Sequence, residues 1–318
     1  MLDLRNSNLA SQRLRAAVAL EAFVSLNTSA SIGDVVPKDG SFLIVCKIGA
    51  DDIVKRSGRW LDEISSVKDR DGFIALDYTD HHLGQQSVMR DFYCDVLKYV
   101  DIAIVPSKAM STSLQEYWSG ETLVIPDALE YEVEPPRNFK DGKPSALWFG
   151  HPSNLEYLVK FLRINDLRDV LKTLIVCTDN RGIQWIRDNT EYFSSVNLTL
   201  VPWAVQTLKK AALQCDLALL PVGLNDPRKS GASENRLVTA LCLGLPVVTH
   251  SLLSYKPYRK YYSDIDEDGY MAVIKNPWGM HKLVLAAQRD IIPRYYPSAV
   301  GLAWRDFILK FSKKRLFI

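Results

Sequence analysis

Short runs of consecutive apolar residues alternate along the chain with stretches in which apolar residues recur at helical spacing. The runs predict strands that are buried on both faces, and the stretches between them predict crossover helices. In the first half, strands are expected at residues 41–47, 73–77, 102–106 and 123–125. Strands joined by helices in this way form a mostly parallel sheet.

The second half repeats the pattern more fully. Six strands are expected there, at residues 146–149, 174–177, 198–201, 217–221, 247–249 and 271–274. Between the halves, residues 126–144 contain four prolines and many charges without periodicity, which indicates a linker. We therefore predict an α/β fold with two doubly wound, Rossmann-like parallel-sheet domains, 1–135 and 136–298, that face a cleft, and a helix at 299–318 that packs back on the first domain.

One short motif occurs in both halves. Residues 101–106 and 216–221 each consist of an aspartate, four apolar residues and a proline. Six residues do not prove duplication, but the echo suits two similar domains whose strands end at one shared cleft. In open α/β sheets, ligands bind at the carboxyl ends of the strands.

Composition narrows the class of protein. The 318 residues are 47% hydrophobic and 24% charged, which is typical of a well-packed globular chain. A net charge of +2 gives no general attraction to nucleic acid, so no such partner is expected. The five cysteines include no C-x-x-C pair, which favours reduced thiols and a cytoplasmic location. No apolar run reaches the roughly 18 residues of a membrane span.

The end of the chain is aromatic and basic. A helical stripe that includes Trp304 and Phe311 predicts packing against the first domain. Residues 313–315 are basic and residues 316–318 are apolar. This tip leaves a second interpretation open, namely a peripheral contact with the inner face of the membrane.

The segment 216–250 has the pattern of a strand, a polar loop, a short helix and a second strand. The N-terminus of a helix carries unpaired N–H groups and favours anions. The loop and the start of the helix hold donors that suit a phosphate or pyrophosphate, namely Lys229, Ser230, Ser233, Asn235 and Arg236. A solvated basic loop, with a plain helix cap at Ser233, is the alternative interpretation.

Six stretches together carry a resemblance to a known family. They are SQRLRAAVALEAF at 11–23, FIALDYTD at 73–80, DIAIVPS at 101–107, ETLVIPDALE at 121–130, ALWFGHPSNLEYL at 146–158 and the segment at 216–249. On these residues the chain resembles glycosyltransferases of the GT-B fold, particularly the large bacterial group related to family 4, also called group 1. The resemblance implies an N-terminal domain that binds the acceptor and a C-terminal domain that binds a sugar nucleotide.

The chain departs from this family at the phosphate-binding loop. The family often carries two glutamates eight positions apart, which contact the donor ribose and support the sugar. Here Gly231 and Thr239 occupy those positions, and Glu234 offers a carboxylate at a different spacing. The resemblance therefore indicates a variant branch in which Lys229 and an Asn-Arg pair serve the phosphates.

Polar residues that follow the first-domain strands are the candidates for catalysis. Asp77, Asp80 and His81 come at or after the end of the second predicted strand. If transfer inverts, the acceptor hydroxyl needs a base such as Asp80 or His81, and if transfer retains, these residues orient a substrate. Lys47, at the end of the first strand, is a further candidate on the acceptor side. A turn cap with surface histidines and an ordinary strand-end lysine are the alternatives.

Four residues that follow strands of the second domain are candidates for donor binding. Gly150 lets backbone approach a ligand, and His151 is a candidate contact to phosphate or sugar. Thr178 and Trp203 end the next two strands, where a nucleobase would lie. The alternatives are a turn with a helix cap for the first pair and core or rim packing for Trp203.

The resemblance implies a metal-independent glycosyltransferase, with retention of configuration preferred. It would move a sugar from a nucleotide-sugar donor to a glycan or lipid-linked acceptor in bacterial surface polysaccharide synthesis. The nucleotide sugar is a substrate, so no cofactor and no metal are expected. Two alternatives stay open: a sugar-nucleotide epimerase of the same fold, and a degenerate, non-catalytic protein that binds sugar nucleotides.

Overall fold

The computed structural model describes residues 9–36, 38, 41–137 and 142–313. The described residues form two compact units. The first comprises those of Met1–Ala128, Asn225–Ser233 and Tyr295–Ile318, and the second those of Leu129–Leu224 and Glu234–Arg294. Each unit is built on one parallel sheet, which confirms the predicted α/β class.

The first unit has a four-stranded sheet in the order β1-β2-β3-β4. Its elements are α1 (Ala17–Ser25), β1 (Phe42–Val45), α2 (Ala50–Asp69), β2 (Phe73–Asp77), α3 (Val88–Val96), β3 (Ile102–Val105), α4 (Lys108–Gln115), β4 (Glu121–Val124) and α11 (Pro297–Lys313). A wider, π-helical turn over Gln12–Ala16 precedes α1. Sequential order with right-handed crossovers places α2, α3 and α4 on one face of the sheet.

Alternating residues of the strands explain how both faces of this sheet are covered. Ile74 and Leu76 of β2 pack in the cluster that holds the buried residues of α2, α3 and α4. Phe73 and Ala75 point to the opposite face and pack with α1 and α11. The crossovers leave that second face bare, so the N-terminal helix and the C-terminal helix cover it.

The second unit has a six-stranded sheet in the order β10-β9-β8-β5-β6-β7. Its elements are β5 (Ser145–Phe149), α5 (Leu155–Ile164), β6 (Thr173–Thr178), α6 (Asn180–Asp188), β7 (Leu198–Pro202), α7 (Val205–Ala212), β8 (Leu217–Leu220), α8 (Asn235–Cys242), β9 (Val247–Thr249), β10 (Tyr262–Asp264), α9 (Tyr270–Lys275) and α10 (His281–Asp290). The direction of strand order reverses between β5 and β8. Such a switch point creates a crevice at the carboxyl ends of the strands.

The repeated Asp motif has the same structural role in both units. Asp101 precedes β3, and its Oδ2 accepts a hydrogen bond from the N–H of Ile74 at 2.8 Å. Asp216 precedes β8, and its Oδ2 accepts from the N–H of Ser145, also at 2.8 Å. Each carboxylate therefore fixes the start of its strand to the neighbouring strand.

One strand prediction is wrong. Residues 271–274 lie in the helix α9, and the sixth strand is β10 at Tyr262–Asp264. A run of four apolar residues does not distinguish a strand from a buried helical turn, and Met and Ala favour the helix. The sequence of β10 has no apolar run, because it is a short strand that pairs with β9 at the edge of the sheet.

No helix in the described part of the chain is both long and apolar enough to span a membrane. The basic and apolar tip at 314–318 lies outside the described residues, so its predicted membrane contact stays a prediction.

Candidate functional site

Arg236 lies at the switch point of the second unit, in the first turn of α8. Its guanidinium carbon is 5.3 Å from the ring centroid of Trp148 and 5.7 Å from that of Phe149, both in β5. A Cβ atom on Gly150 would lie 3.3 Å from that carbon and 3.4 Å from Nε and Nη2. Glycine therefore allows the backbone at the end of β5 to approach the guanidinium closely.

The guanidinium of Arg236 is buried without full hydrogen bonding. Its Nε and Nη2 atoms are buried, and neither has a hydrogen-bond partner among the described residues. Burial lowers the pKa of Arg236, although the nearby Tyr255 opposes that shift. An arginine keeps its charge in proteins. A buried cation with unused donors is costly, so this geometry favours a bound anion. We call Arg236, Trp148, Phe149 and Gly150 the Arg236 site.

Tyr255 is a residue of this region that the sequence reasoning missed. Burial is the main cause that raises its pKa to about 12, and the charges of Arg236 and Glu234 act on it in opposite directions. Glu234 is 5% exposed at the position before α8. The phenol of Tyr255 therefore lies within electrostatic reach of both charged side chains, and the spacing of these residues in the sequence does not predict it.

Thr178 is fully buried at the end of β6, and its predicted contact with a ligand stays a prediction. Its hydroxyl donates to the carbonyl oxygen of Gly150 at 2.8 Å, and the N–H of Gly150 donates to Cys177 at 3.2 Å. Thr178 therefore holds the Gly150 turn in place.

The remaining predicted residues of the second unit lie near strand ends or at the start of α8. His151 is exposed and caps a short 3-10 helix, since its Nδ1 accepts from the N–H of Ser153 at 3.2 Å. Trp203 follows β7 and is partly exposed. Its backbone N–H donates to the backbone carbonyl of Thr178 at 2.7 Å. Asn235 opens α8, and its Oδ1 accepts from the hydroxyl of Thr239 at 3.5 Å. The predicted roles of His151, Trp203 and Asn235 stay predictions.

Asp77 is committed to a buried ion pair in the first unit. The Nε and Nη2 atoms of Arg15 donate to its carboxylate at 2.6–2.9 Å, and both side chains are almost fully buried. Arg15 also donates to the carbonyl of Ile125 at 2.8 Å and to Asp127 at 3.1 Å. Burial alone would lower the pKa of Arg15, but the charges of Asp77 and Asp127 outweigh it and raise that pKa. The oxygens of Asp77 thus face a guanidinium, and its predicted catalytic role stays a prediction.

His81 is also enclosed. It is 3% exposed, its Nδ1 lies 3.4 Å from the hydroxyl of Tyr78, and its ring centroid lies 5.6 Å from that of Tyr117. Burial lowers the pKa of His81, so the imidazole is neutral near pH 7. The predicted role of His81 as the base stays a prediction.

Asp80 and Lys47 keep the accessibility that a substrate contact needs. They form an ion pair after β2 and β1, and their side chains are 44% and 43% exposed. Burial tends to raise the pKa of Asp80, but Lys47, His82 and Lys229 outweigh it and lower that pKa. Asp80 is therefore an ionised, accessible carboxylate at the carboxyl end of the first sheet.

The loop Asn225–Ser233 belongs to the first unit, although it connects β8 to α8 of the second. The hydroxyl of Ser233 donates to Asp127 at 2.7 Å, and Ser230 accepts from the hydroxyl of Ser113 at 3.2 Å. The five residues predicted as one phosphate receptor thus divide between the units, with Lys229, Ser230 and Ser233 in the first. The hydroxyls of Ser230 and Ser233 are engaged with first-unit residues, and their predicted phosphate contacts stay predictions.

Among the described residues, no three His, Cys, Asp or Glu side chains are arranged to hold a metal ion.

Comparison with protein-family models gives no match, and comparison with curated protein sequences gives none either. Solved structures do match. TarM from S. aureus, as a mutant in complex with fondaparinux, alpha-GlcNAc-glycerol and UDP, is 13% identical with a TM-score of 0.58, and the match covers 91% of this chain and 57% of TarM. The chain thus spans little more than half the length of TarM.

Two further structures match over more of their own length. The lipopolysaccharide outer core galactosyltransferase WaaB, in its apo form, is 13% identical with a TM-score of 0.54, over 96% of this chain and 82% of WaaB. WaaG, a glycosyltransferase involved in lipopolysaccharide biosynthesis, is 12% identical with a TM-score of 0.51, over 93% of this chain and 90% of WaaG. The fold of this chain is therefore that of the GT-B glycosyltransferases, as the resemblance implied.

Proposed function

We propose that this protein is a glycosyltransferase that binds the phosphates of a nucleotide-sugar donor at the Arg236 site. The observation that carries the proposal is the buried guanidinium of Arg236, whose Nε and Nη2 have no partner among the described residues. Its place at the switch point between β5 and β8 is where open α/β sheets bind ligands.

The chemistry of sugar transfer gives such a cation a purpose. Negative charge builds on the departing phosphate group as the bond to the sugar breaks, and a cation placed in advance stabilises it. The N-terminal N–H groups of α8 add donors and a partial positive charge at the same point. With these groups we propose transfer that needs no metal ion and retains configuration at the sugar.

The donor and acceptor classes are proposed from the structures that share the fold. TarM is described with UDP, so a uridine diphosphate sugar is the first donor to test. WaaB and WaaG act in lipopolysaccharide synthesis, so we propose a glycan or lipid-linked acceptor in surface polysaccharide assembly. The protein would work on the cytoplasmic side of the membrane, with the tip at 314–318 as a peripheral contact.

The two units receive different roles under this proposal. The second unit, with the Arg236 site, binds the donor, and the first unit binds the acceptor. Under retention, Asp80 orients the acceptor hydroxyl through a hydrogen bond, and Lys47 holds Asp80 in place through their ion pair. We propose residues 1–135 as the acceptor-binding domain and residues 136–298 as the donor-binding domain.

Isothermal titration calorimetry with UDP, GDP, ADP, dTDP and CMP tests the proposal. We expect one nucleotide, UDP first, to bind, and Arg236→Gln to weaken binding about 10- to 100-fold, as for loss of charge-assisted hydrogen bonds. Arg187→Gln, an exposed arginine on α6, is the matched control and should leave affinity unchanged. Equal affinity of Arg236→Gln and the wild type would refute the site.

Product analysis separates the proposed activity from its alternatives. A transferase releases the nucleotide and needs an acceptor, whereas an epimerase converts the free sugar nucleotide without one. NMR of the anomeric proton in the product also reads retention directly. Nucleotide binding without transfer or conversion, for every donor and for bacterial glycan acceptors, would leave the non-catalytic binding protein.

A further inference from the structure

The ion pair of Lys47 and Asp80 marks an accessible polar edge of the first sheet. β1 and β2 are parallel neighbours, with Val45 opposite Leu76, so the residues that follow both strands meet at one edge. The two side chains are 43% and 44% exposed, so both face solvent despite their pairing. Because the ion pair is exposed, it can open, and each side chain can then bind a ligand from solution.

The loop Asn225–Ser233 brings a second cation to this edge. A Cβ on Gly231 would lie 2.6 Å from Sδ and 2.8 Å from Cα of Met110, so only glycine lets the loop lie this close to α4. Pro227 approaches Gly84, since a Cβ at Gly84 would lie 3.5 Å from the Cβ of Pro227. In this position Lys229 acts electrostatically on Asp80.

The same edge contains polar atoms without partners. Within the described part of the chain, Oγ1 of Thr79 and Nε2 of His82 are buried and make no hydrogen bond. The imidazole of His82 is fixed in place, because it stacks on Tyr93 with centroids 5.3 Å apart and planes 3° apart. Buried polar atoms are normally hydrogen-bonded, so these two atoms have capacity left for hydrogen bonds to a ligand.

We propose that Lys47, Lys229, Asp80, Thr79 and His82 form the acceptor subsite, and that the acceptor carries a phosphate or carboxylate beside its hydroxyl groups. The anionic group would accept hydrogen bonds from the two ammonium groups, and Asp80 would accept a hydrogen bond from a hydroxyl. The hydroxyl of Thr79 and Nε2 of His82 would bond to further hydroxyls. This inference rests on the proposed function, and it moves Lys229 from the donor phosphates to the acceptor.

The fold gives a reason for the inserted loop. The first sheet has sequential strand order, so it has no switch-point crevice of its own. The loop from the second half of the chain supplies a wall and a charge that the crossovers of this sheet do not provide.

The test measures binding of simple acidic and neutral probes to the full chain by ligand-observed NMR. Glycerol 3-phosphate and glucuronate are compared with glycerol and glucose, in Arg236→Gln protein, so that the proposed donor site lacks its cation. We expect an acidic probe to bind about tenfold or more tightly than its neutral partner. The phosphate and carboxylate arms show which anionic group the subsite prefers.

Matched lysine variants locate the binding. Lys47→Gln and Lys229→Gln should each weaken binding of the preferred acidic probe about tenfold, and Lys55→Gln, exposed on α2, should not. Circular dichroism confirms that each variant is folded. Two results would overturn the inference. One is equal binding of the acidic and neutral probes, and the other is that Lys229→Gln leaves the affinity for the acidic probe unchanged.

Titration of UDP into otherwise wild-type Lys229→Gln separates this inference from the proposed function. If Lys229 serves the acceptor, UDP affinity stays at the wild-type value. If UDP affinity falls while glycerol 3-phosphate binding does not, Lys229 serves the donor and the inference fails alone. If the wild type binds no nucleotide, the proposed function fails, and the probe titrations still decide the subsite.

Discussion

Each unit buries an arginine near the carboxyl ends of its strands, and the two arginines are satisfied in opposite ways. Arg15 of the first unit donates to Asp77, Asp127 and the carbonyl of Ile125. Arg236 of the second unit rests on aromatic rings, and its Nε and Nη2 have no partner within the described residues. Removing one partner of a fully bonded buried charge is strongly destabilising, whereas an incompletely bonded buried charge carries a cost that a ligand can offset.

The two sheets also differ in their strand order. The first sheet, in sequential order, is covered on one face by α1 and α11 from opposite ends of the chain. Arg15 donates to Asp77 at the end of β2, and its guanidinium carbon lies 5.7 Å from the ring centroid of Trp304 in α11. The second sheet reverses its order between β5 and β8, and Arg236 lies at that reversal. We therefore interpret the first arginine as structural and the second as functional.

The largest expected effect is the loss of Arg15. Arg15→Met leaves Asp77 buried without its partner, which should lower the free energy of unfolding by about 3–5 kcal/mol. Urea denaturation measures this change. The control is Arg56→Met, because the ion pair of Arg56 with Asp34 is exposed and should contribute no more than about 1 kcal/mol. If Arg15→Met lowered the free energy of unfolding by no more than Arg56→Met, a structural role for Arg15 would be contradicted.

The second prediction has the opposite sign. Arg236→Met replaces an incompletely bonded buried cation by an apolar side chain, so the ligand-free protein should gain about 1–3 kcal/mol in unfolding free energy. The same variant should lose nucleotide binding, since activity often requires a destabilised site. Urea denaturation without ligand, beside calorimetry with UDP, checks both parts. If Arg236→Met instead destabilised the protein as much as Arg15→Met, both arginines would have a structural role.

A third prediction concerns the loop that the first unit takes from the second half of the chain. Gly231→Ala places a Cβ 2.8 Å from the backbone of Met110, so the loop must shift, at a cost of about 1–3 kcal/mol. Gly279→Ala is the control, because nothing lies within 4 Å of a Cβ there. Thermal unfolding compares the two. If both variants melt alike, the loop is not held against α4 as the structure shows.

The sequence predicts what depends on local pattern. Nine of the ten strands in the described part of the chain follow from apolar runs, and the start of α8 with Arg236 follows from the strand-loop-helix pattern of an anion site. What it misses depends on pairing across long separations. Arg15 meets Asp77 across 62 positions, and Ser233 meets Asp127 across 106.

These distant contacts involve residues of the predicted site. Asp77 and Ser233 carry the right chemistry for a strand end and a phosphate loop, and only their partners show that they are engaged. A signal for one of them was present, since Arg15 lies three residues before the apolar Val18 and so shares a face of the predicted helix with it. A charged residue on a buried face requires a buried counter-charge, and Asp77 at the end of a fully buried strand is a natural one.

The smallest expected effect tests the charge around Asp80. Its folded pKa is lowered, so the stabilisation it provides is present above the ordinary carboxylate pKa of about 3.9 and is lost as pH falls through the folded value. Lys229→Gln removes one of the charges that lower this pKa and should therefore raise it, and Lys55→Gln should not. Titration of the Asp80 carboxyl carbon by NMR follows both variants. An unchanged pKa in Lys229→Gln would show that the loop does not bring its charge to Asp80.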